Sequence, residues 1–463
     1  MTRNKSKLKK TFFFFLSSLF IFLLSCLQPV SQGKIPEFIP AAKNVQSSSF
    51  SCDNNDLLIV IVSGAVLRPV LDTGLFTLTL EDGEIPVSSF FRGDDNCALL
   101  GFDAALPKNS DYRLTIQADA LIAGEFSPKV TVKPVSSGKF SSFENTAFGN
   151  DAVHSLCYGN GRFIAAGGNG KMAYLPDDGA AWIAIKPGDG PDGNKFTGAV
   201  YGIAYGNNRF YAVGENSGMS AAINNGLNWG RPLIRKYNDD AVYFAGGLFS
   251  GDDILCVTWG KGAAVFGGRF VAAGKNGKLL FEWESDVWNE AVITLGEFDI
   301  NALVWGDTGD YGSFIAAGSS GHLFRSTNAN GRPGAWTAAE SRFDNQDIYG
   351  CAFGNGIFVI GGKDGRLSRS SNGDEWESAD TAAGNDIFAL AFGGGVFVAA
   401  GDRGLMALSV DGISWETVTG GGFDSDDVIR SVVSDGRGKF VAAGNSLTDN
   451  KSKIVYWYQK PAL

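Results

Sequence analysis

Residues 387–415 read Ile387-Phe-Ala-Leu-Ala-Phe-Gly393, then Phe397-Val-Ala-Ala-Gly401, then Leu405-Met-Ala-Leu-Ser409, then Asp411-Gly-Ile-Ser-Trp415. Ile387, Ala389 and Ala391 alternate with Phe388, Leu390 and Phe392, the period of a half-buried strand. Phe397 to Ala400, Leu405 to Ser409 and Ser414 to Val418 predict three more. Gly393 to Gly395, Gly401 to Gly404 and Asp411-Gly412 separate them, where tight hairpins need residues that accept positive φ. The unit is a four-stranded antiparallel meander. Such a sheet has two edges and a mainly apolar face, so copies must stack around an axis to bury them.

The second strand shows how often the unit recurs. Its motif stands at Phe163-Ile-Ala-Ala-Gly, Phe210-Tyr-Ala-Val-Gly, Phe270-Val-Ala-Ala-Gly, Phe314-Ile-Ala-Ala-Gly, Phe358-Val-Ile-Gly-Gly, Phe397-Val-Ala-Ala-Gly and Phe440-Val-Ala-Ala-Gly. The intervals are 47, 60, 44, 44, 39 and 43 residues, which predicts an all-β fold with a seven-bladed β-propeller over residues 136–463. Six copies carry a fourth-strand tryptophan (Trp182, Trp229, Trp288, Trp336, Trp376, Trp415), and the seventh ends after Ile454 to Tyr458 without one. Phe140 precedes Val153 by thirteen residues, as Trp415 precedes Val428. Residues 139–145 are therefore expected to supply the missing outer strand and close the ring.

The N-terminal part is organised differently. Arg3, Lys5, Lys7, Lys9 and Lys10 precede an apolar run from Thr11 to Leu24, too short to span a bilayer as a helix. Ser25-Cys26 ends it. This resembles a bacterial lipoprotein signal, with residues 1–25 as leader and Cys26 as the lipidated residue; a few acyl chains at ~0.8 kcal/mol per methylene would hold it on a membrane. Residues 26–49, with Pro29, Pro36 and Pro40, read as a tether. Residues 50–135 contain short alternating runs separated by turns and suit a β-sandwich. The run Leu106 to Ile116 resembles bacterial Ig-like modules of surface proteins. Cys52 and Cys97 lie in this exported sandwich, which makes a disulfide between them an expectation.

Within the repeats, Ser409-Val-Asp411-Gly412-Ile-Ser-Trp415, Ser370-Ser-Asn372-Gly373-Asp-Glu-Trp376 and Ile223-Asn-Asn225-Gly226-Leu-Asn-Trp229 resemble Asp-box (BNR-like) repeats, one residue shorter than usual between Asp and Gly. Such repeats occur in sialidases, sortilin-type receptors and propeller factors that assist photosystem II assembly. The resemblance implies a structural hairpin between third and fourth strands and brings no chemistry with it.

Composition bounds the function. The formal net charge is −10, and removal of the basic leader makes the chain more acidic still, which speaks against a nucleic-acid partner. With two histidines, His154 and His322, in different copies, a His-based triad or multi-His metal site is hard to assemble. No Arg-Ile-Pro motif of a sialidase occurs, and Arg430 is the only arginine on an expected inner strand. No catalytic residue or cofactor is assigned, and any metal is left open. Cys157, Cys256 and Cys351 fall in different copies and registers and read as free buried thiols. Aspartate leads into the first strand in five copies, at Asp253, Asp299, Asp347, Asp386 and Asp427, so the ring would gather them as a ligand-binding collar around the channel mouth. The competing reading pairs each with its turn or with basic residues such as Lys275 and Lys363. The excess around Tyr237 to Ser250 is expected to be a variable binding loop. The chain thus reads as a membrane-anchored cell-envelope lipoprotein whose propeller binds a protein or glycan. A cell-envelope glycan hydrolase and a periplasmic assembly factor are the alternatives.

Overall fold

The computed structural model describes residues 46–460 apart from short internal stretches that include 186–195, 236–241, 245–250 and 262–267. Two four-stranded antiparallel sheets, with a two-stranded ribbon of Ala65–Leu67 and Leu121–Ala123, make the N-terminal unit. One contains Gln46–Ser51, Asp111–Ile116, Phe76–Leu80 and Gly83–Ile85; the other contains Lys129–Val135, Asn55–Ser63, Cys97–Leu106 and Ser89–Arg92. Leu58, Val60 and Leu100 from one sheet meet Leu78, Leu114 and Ile116 from the other in one apolar layer, so the unit is a sandwich. Its first strand begins at Gln46, inside the stretch read as tether, and pairs with Asp111–Ile116.

From residue 141 onward the described residues form seven sheets. Sheet 6 sets the pattern: Ile387–Gly393, Val396–Gly401, Met406–Ser409 and Glu416–Thr417 pair in order as a meander. The motif phenylalanines Phe163, Phe210, Phe270, Phe314, Phe358, Phe397 and Phe440 are all fully buried. Each helps fill an apolar layer between two successive sheets, as Phe397 of sheet 6 does beside Val359 of sheet 5. Seven such layers exist, and the last joins Val441 and Ala443 of sheet 7 to Phe163 and Ala165 of sheet 1. The succession closes into a ring, a β-propeller.

Glycine at the end of a first strand makes the ring tight. A Cβ on Gly159 would strike the ring of Tyr205, one on Gly206 Trp259, one on Gly260 Trp305, one on Gly306 Phe353 and one on Gly354 Phe392. Each sheet thus seats an aromatic of the next where its own side chain is missing. Ser434 stands in the aromatic's place at the sixth contact.

Closure uses both ends of the chain. Ser141–Ser142 pairs antiparallel with Ser452–Tyr458 as the outer strand of sheet 7, and Phe143 N–H donates to the Ile454 carbonyl at 3.0 Å. Phe140 packs on Trp457 with centroids 5.1 Å apart, and Phe143 on Tyr456 at 4.7 Å. The expected closure is seen at residues 140–143; residues 144 and 145 of the stretch lie outside the described residues.

The third-to-fourth hairpins are held by their own side chains. In sheet 6, Asp411 Oδ1 accepts N–H groups from Ile413 at 2.8 Å and Ser414 at 3.0 Å, Ser409 Oγ accepts from Gly412 at 2.8 Å, and Trp415 Nε1 donates to the Gly412 carbonyl. Asn372, Ser370 and Trp376 repeat this in sheet 5. Gly412 and Gly373 have φ of 73° and 81°, which the bend requires.

Sheet 3 departs from the pattern. Leu233–Arg235 pairs in parallel with Val287–Glu290 and antiparallel with Val242–Phe244, so the insertion before this sheet extends its outer edge. Val242–Phe244 falls within the stretch read as a binding loop, of which residues 237–241 and 245–250 lie outside the described residues.

The sandwich docks beside the first hairpins of sheets 6 and 7. Leu57, Ile59 and Leu99, on its outer face, pack with Tyr458, and Lys460 Nζ donates to the Phe102 carbonyl. Asp56 accepts from the Ser137 N–H at 2.7 Å, and Gly138 N–H donates to the Tyr458 carbonyl at 2.9 Å.

Candidate functional site

Every first strand carries a bulge at the same place. The pairing with the second strand slips between Val153 and Ser155, Val200 and Gly202, Ile254 and Cys256, Ile300 and Ala302, Ile348 and Gly350, Ile387 and Ala389, and Ile429 and Ser431. The extra residues are His154, Tyr201, Leu255, Asn301, Tyr349, Phe388 and Arg430. A bulge re-aims a side chain, and all seven line the central channel, a cavity of about 250 Å³. The residue after each is small, from Ser155 round to Ser431, which lets the inner strands approach. Ser155 Oγ accepts from Ile203 N–H at 3.1 Å and Ser431 Oγ from Leu156 N–H at 2.9 Å, so hydroxyls bridge inner strands at and beside the closure.

The ring is chemically divided. Tyr349 and Phe388 are in contact at 5.4 Å, and the Tyr349 hydroxyl donates to Asp347 Oδ2 at 3.4 Å. His154 meets Tyr201 edge to face at 5.6 Å and lies beside Arg430, whose sheet adjoins that of Phe388. Burial, then the Arg430 charge, lowers the His154 pKa to about 4, so the imidazole is neutral at ordinary pH. Burial first, then Asp253 and Glu215, raises the Tyr201 phenol, which stays protonated. Arg430 is fixed by its Nε, which donates to Asn445 Oδ1 at 2.9 Å, and Asn301 donates to the Ile348 carbonyl at 2.9 Å.

The aspartates lie outside this ring, and four act in one way. Asp253, Asp299, Asp347 and Asp386 each accept a backbone N–H from the second hairpin of the preceding sheet: Asn216 at 2.9 Å, Asn276 at 3.3 Å, Ser320 at 2.8 Å and Asp364 at 3.0 Å. Those four donors all have φ between 54° and 57°, the left-handed turn that aims the N–H sideways at the next sheet. Lys275 and Lys363 add ion pairs to Asp299 at 2.7 Å and Asp386 at 3.0 Å. Asp427 differs, because Ile429 rather than Val428 pairs with the hairpin glycine, Gly444, and sets Asp427 one position early. It is buried and bonds within its own sheet, to Lys453 at 2.6 Å and the Asp424 N–H at 2.9 Å.

Cys256 and Cys351 line the channel as free thiols, and Cys157, on the first strand of sheet 1, is buried in the layer between sheets 1 and 2. Burial pushes Cys157 up to about 12 and raises the other two, so all stay protonated. Cys26, Cys52 and the Cys97 side chain lie outside the described residues.

The regular alternation of Ile387 to Phe392 predicts no bulge, because it makes Phe388 an ordinary strand residue. A signal existed: the second residue of the first strand is large or polar and varies freely among copies, while its flanks stay Ile or Val and a small residue.

No protein-family model matches the chain, and no curated protein matches its sequence. Solved structures do. A structure titled "YCF48 bound to D1 peptide" is similar at 11% identity and a TM-score of 0.50, covering 70% of this chain and 99% of that one. YCF48 from Cyanidioschyzon merolae is similar at 14% identity and a TM-score of 0.50, covering 69% and 98%. These likenesses establish the fold over the region of the seven sheets.

Proposed function

We propose that the propeller is a peptide-binding module that takes a protein segment at the channel mouth. The observation that carries this is the bulge ring: seven strands bend at one register to aim His154, Tyr201, Leu255, Asn301, Tyr349, Phe388 and Arg430 into one channel. Its volume of about 250 Å³ is below the ~300–1,000 Å³ usual for a small-molecule site, which suits a side chain or chain end. Aromatic rings beside a fixed guanidinium are recognition groups. A propeller of this fold, YCF48, is described as bound to a D1 peptide, which supports the same use here. An assembly-factor role is one form of this reading.

The surrounding architecture fits a displayed binder. In this reading the seven sheets are seven blades with Asp-box hairpins, the N-terminal unit is an Ig-like spacer with a Cys52–Cys97 disulfide, and lipidated Cys26 tethers the chain to a cell-envelope membrane. Cys26→Ala would then abolish partitioning into detergent. Selection of the full chain against displayed random peptides and a glycan array tests the binding itself. Enrichment of peptides supports it; enrichment of glycans alone, or turnover of one, would return the reading to a glycan binder or hydrolase.

A further inference from the structure

Arg430 is the exception among the basic residues on this face. Lys171, Lys275, Lys278, Lys363 and Lys453 each sit within 3.0 Å of a carboxylate, on Asp151, Asp299, Asp252, Asp386 and Asp427. Arg430 makes no ion pair among the described residues, and its neutral partner Asn445 occupies only Nε. A guanidinium drawn partly out of water without a counter-charge loses hydration that nothing repays, and burial indeed lowers its pKa. Because Nε is committed, the two terminal nitrogens form the free, planar end that matches a carboxylate. The neighbouring imidazole and the Tyr201 hydroxyl are neutral donors, and the wall formed by Tyr349 and Phe388 is aromatic, with the Tyr349 hydroxyl turned to Asp347.

We propose that Arg430 anchors a carboxylate subsite at the channel mouth, which takes a peptide carboxylate flanked by an apolar side chain. The carboxylate accepts from the terminal nitrogens of Arg430, and the apolar group lies against Tyr349 and Phe388. This deepens the peptide-binding reading and rests on it.

The test uses the full chain and three random hexapeptide pools: free C-terminal acids lacking Asp and Glu, the same sequences as C-terminal amides, and amides carrying one Asp or Glu. Wild type should bind the free acids at least ~10-fold more tightly than the plain amides. Arg430→Gln, whose amide can still reach Asn445, should erase that preference while melting as wild type does. Should Gln disturb folding, Arg430→Lys and the acid-to-amide ratio on wild type still decide. Preference for the third pool assigns the carboxylate to an acidic side chain instead of a chain end. Plain amides bound as tightly as both acidic pools, or a preference that survives in Arg430→Gln, overturns the subsite but not peptide binding. Failure of wild type to bind any pool overturns both. Occupancy has a spectroscopic signature too: neutralising Arg430 raises the pKa of His154, one of only two histidines in the chain.

Discussion

Asp347 Oδ1 accepts the backbone N–H of Ser320 at 2.8 Å, which pins the segment leading into sheet 5 onto a hairpin of sheet 4. The same bond at Asp253, Asp299 and Asp386 turns a row of carboxylates into staples between consecutive sheets. Local sequence identity within each copy therefore encodes contact between copies.

Replacing Asp347 and Asp386 together by Ala should lower unfolding stability by roughly 1 kcal/mol or more per site, since each loss orphans a turn N–H. Denaturant titration measures this. Unchanged stability with altered ligand binding would show that the carboxylates serve a ligand instead.

Gly306→Ala places a methyl group into the rings of Phe353 and Phe358. Over-packing of this kind costs about 1–3 kcal/mol, so the thermal midpoint should fall by several degrees. Gly161→Ala serves as a control, where φ is 73° but nothing lies within 4 Å. Gly306 lies outside the left-handed region, so Gly161→Ala measures φ strain alone, and an unchanged midpoint in Gly306→Ala would contradict the seating of an aromatic.

His154 makes stability depend on pH. Its folded pKa of about 4 lies below the ordinary value of 6.5, so the unfolded chain binds the extra proton first as pH falls. The contribution is complete above about pH 6.5 and is lost as pH drops toward 4, on the order of 2 kcal/mol allowing for partial exposure. His154→Phe should flatten the stability profile across that window. An unaltered profile would contradict the burial and the Arg430 charge as causes.

Deleting the closing strand should be costly. A chain beginning at Val153 loses Ser141–Ser142, Phe140 and Phe143, and exposes Trp457 and Tyr456 on an open edge. It should aggregate or melt well below a chain beginning at Val135. Equal melting would show that sheet 7 stands without its fourth strand.

The sequence was most legible where a physical rule repeats. Phe-x-Ala-Ala-Gly, with its variants at Phe210 and Phe358, located the second strands, because a Phe followed by mostly small residues fills a layer between closely stacked sheets. The terminal closure was legible from a missing tryptophan. Its spacing argument was one residue out, since Ile429, not Val428, corresponds to Ile387. The channel ring escaped because a bulge adds a residue without changing composition, so Phe388 and Arg430 look like ordinary strand positions. The direction of the aspartate bonds was hidden too. Spacing placed each carboxylate beside a turn, but only the ring geometry decides that the turn belongs to the preceding sheet.

The central claim is that ligands enter at the bulge ring. The most direct measurement compares affinity for selected peptides in wild type, Phe388→Ala at the mouth, and Val410→Asp, an exposed residue on a third-to-fourth hairpin away from the channel. Entry at the bulge ring predicts a loss of at least ~10-fold for Phe388→Ala and no change for Val410→Asp. Full affinity in Phe388→Ala together with a loss in Val410→Asp would place binding elsewhere on the ring and contradict it.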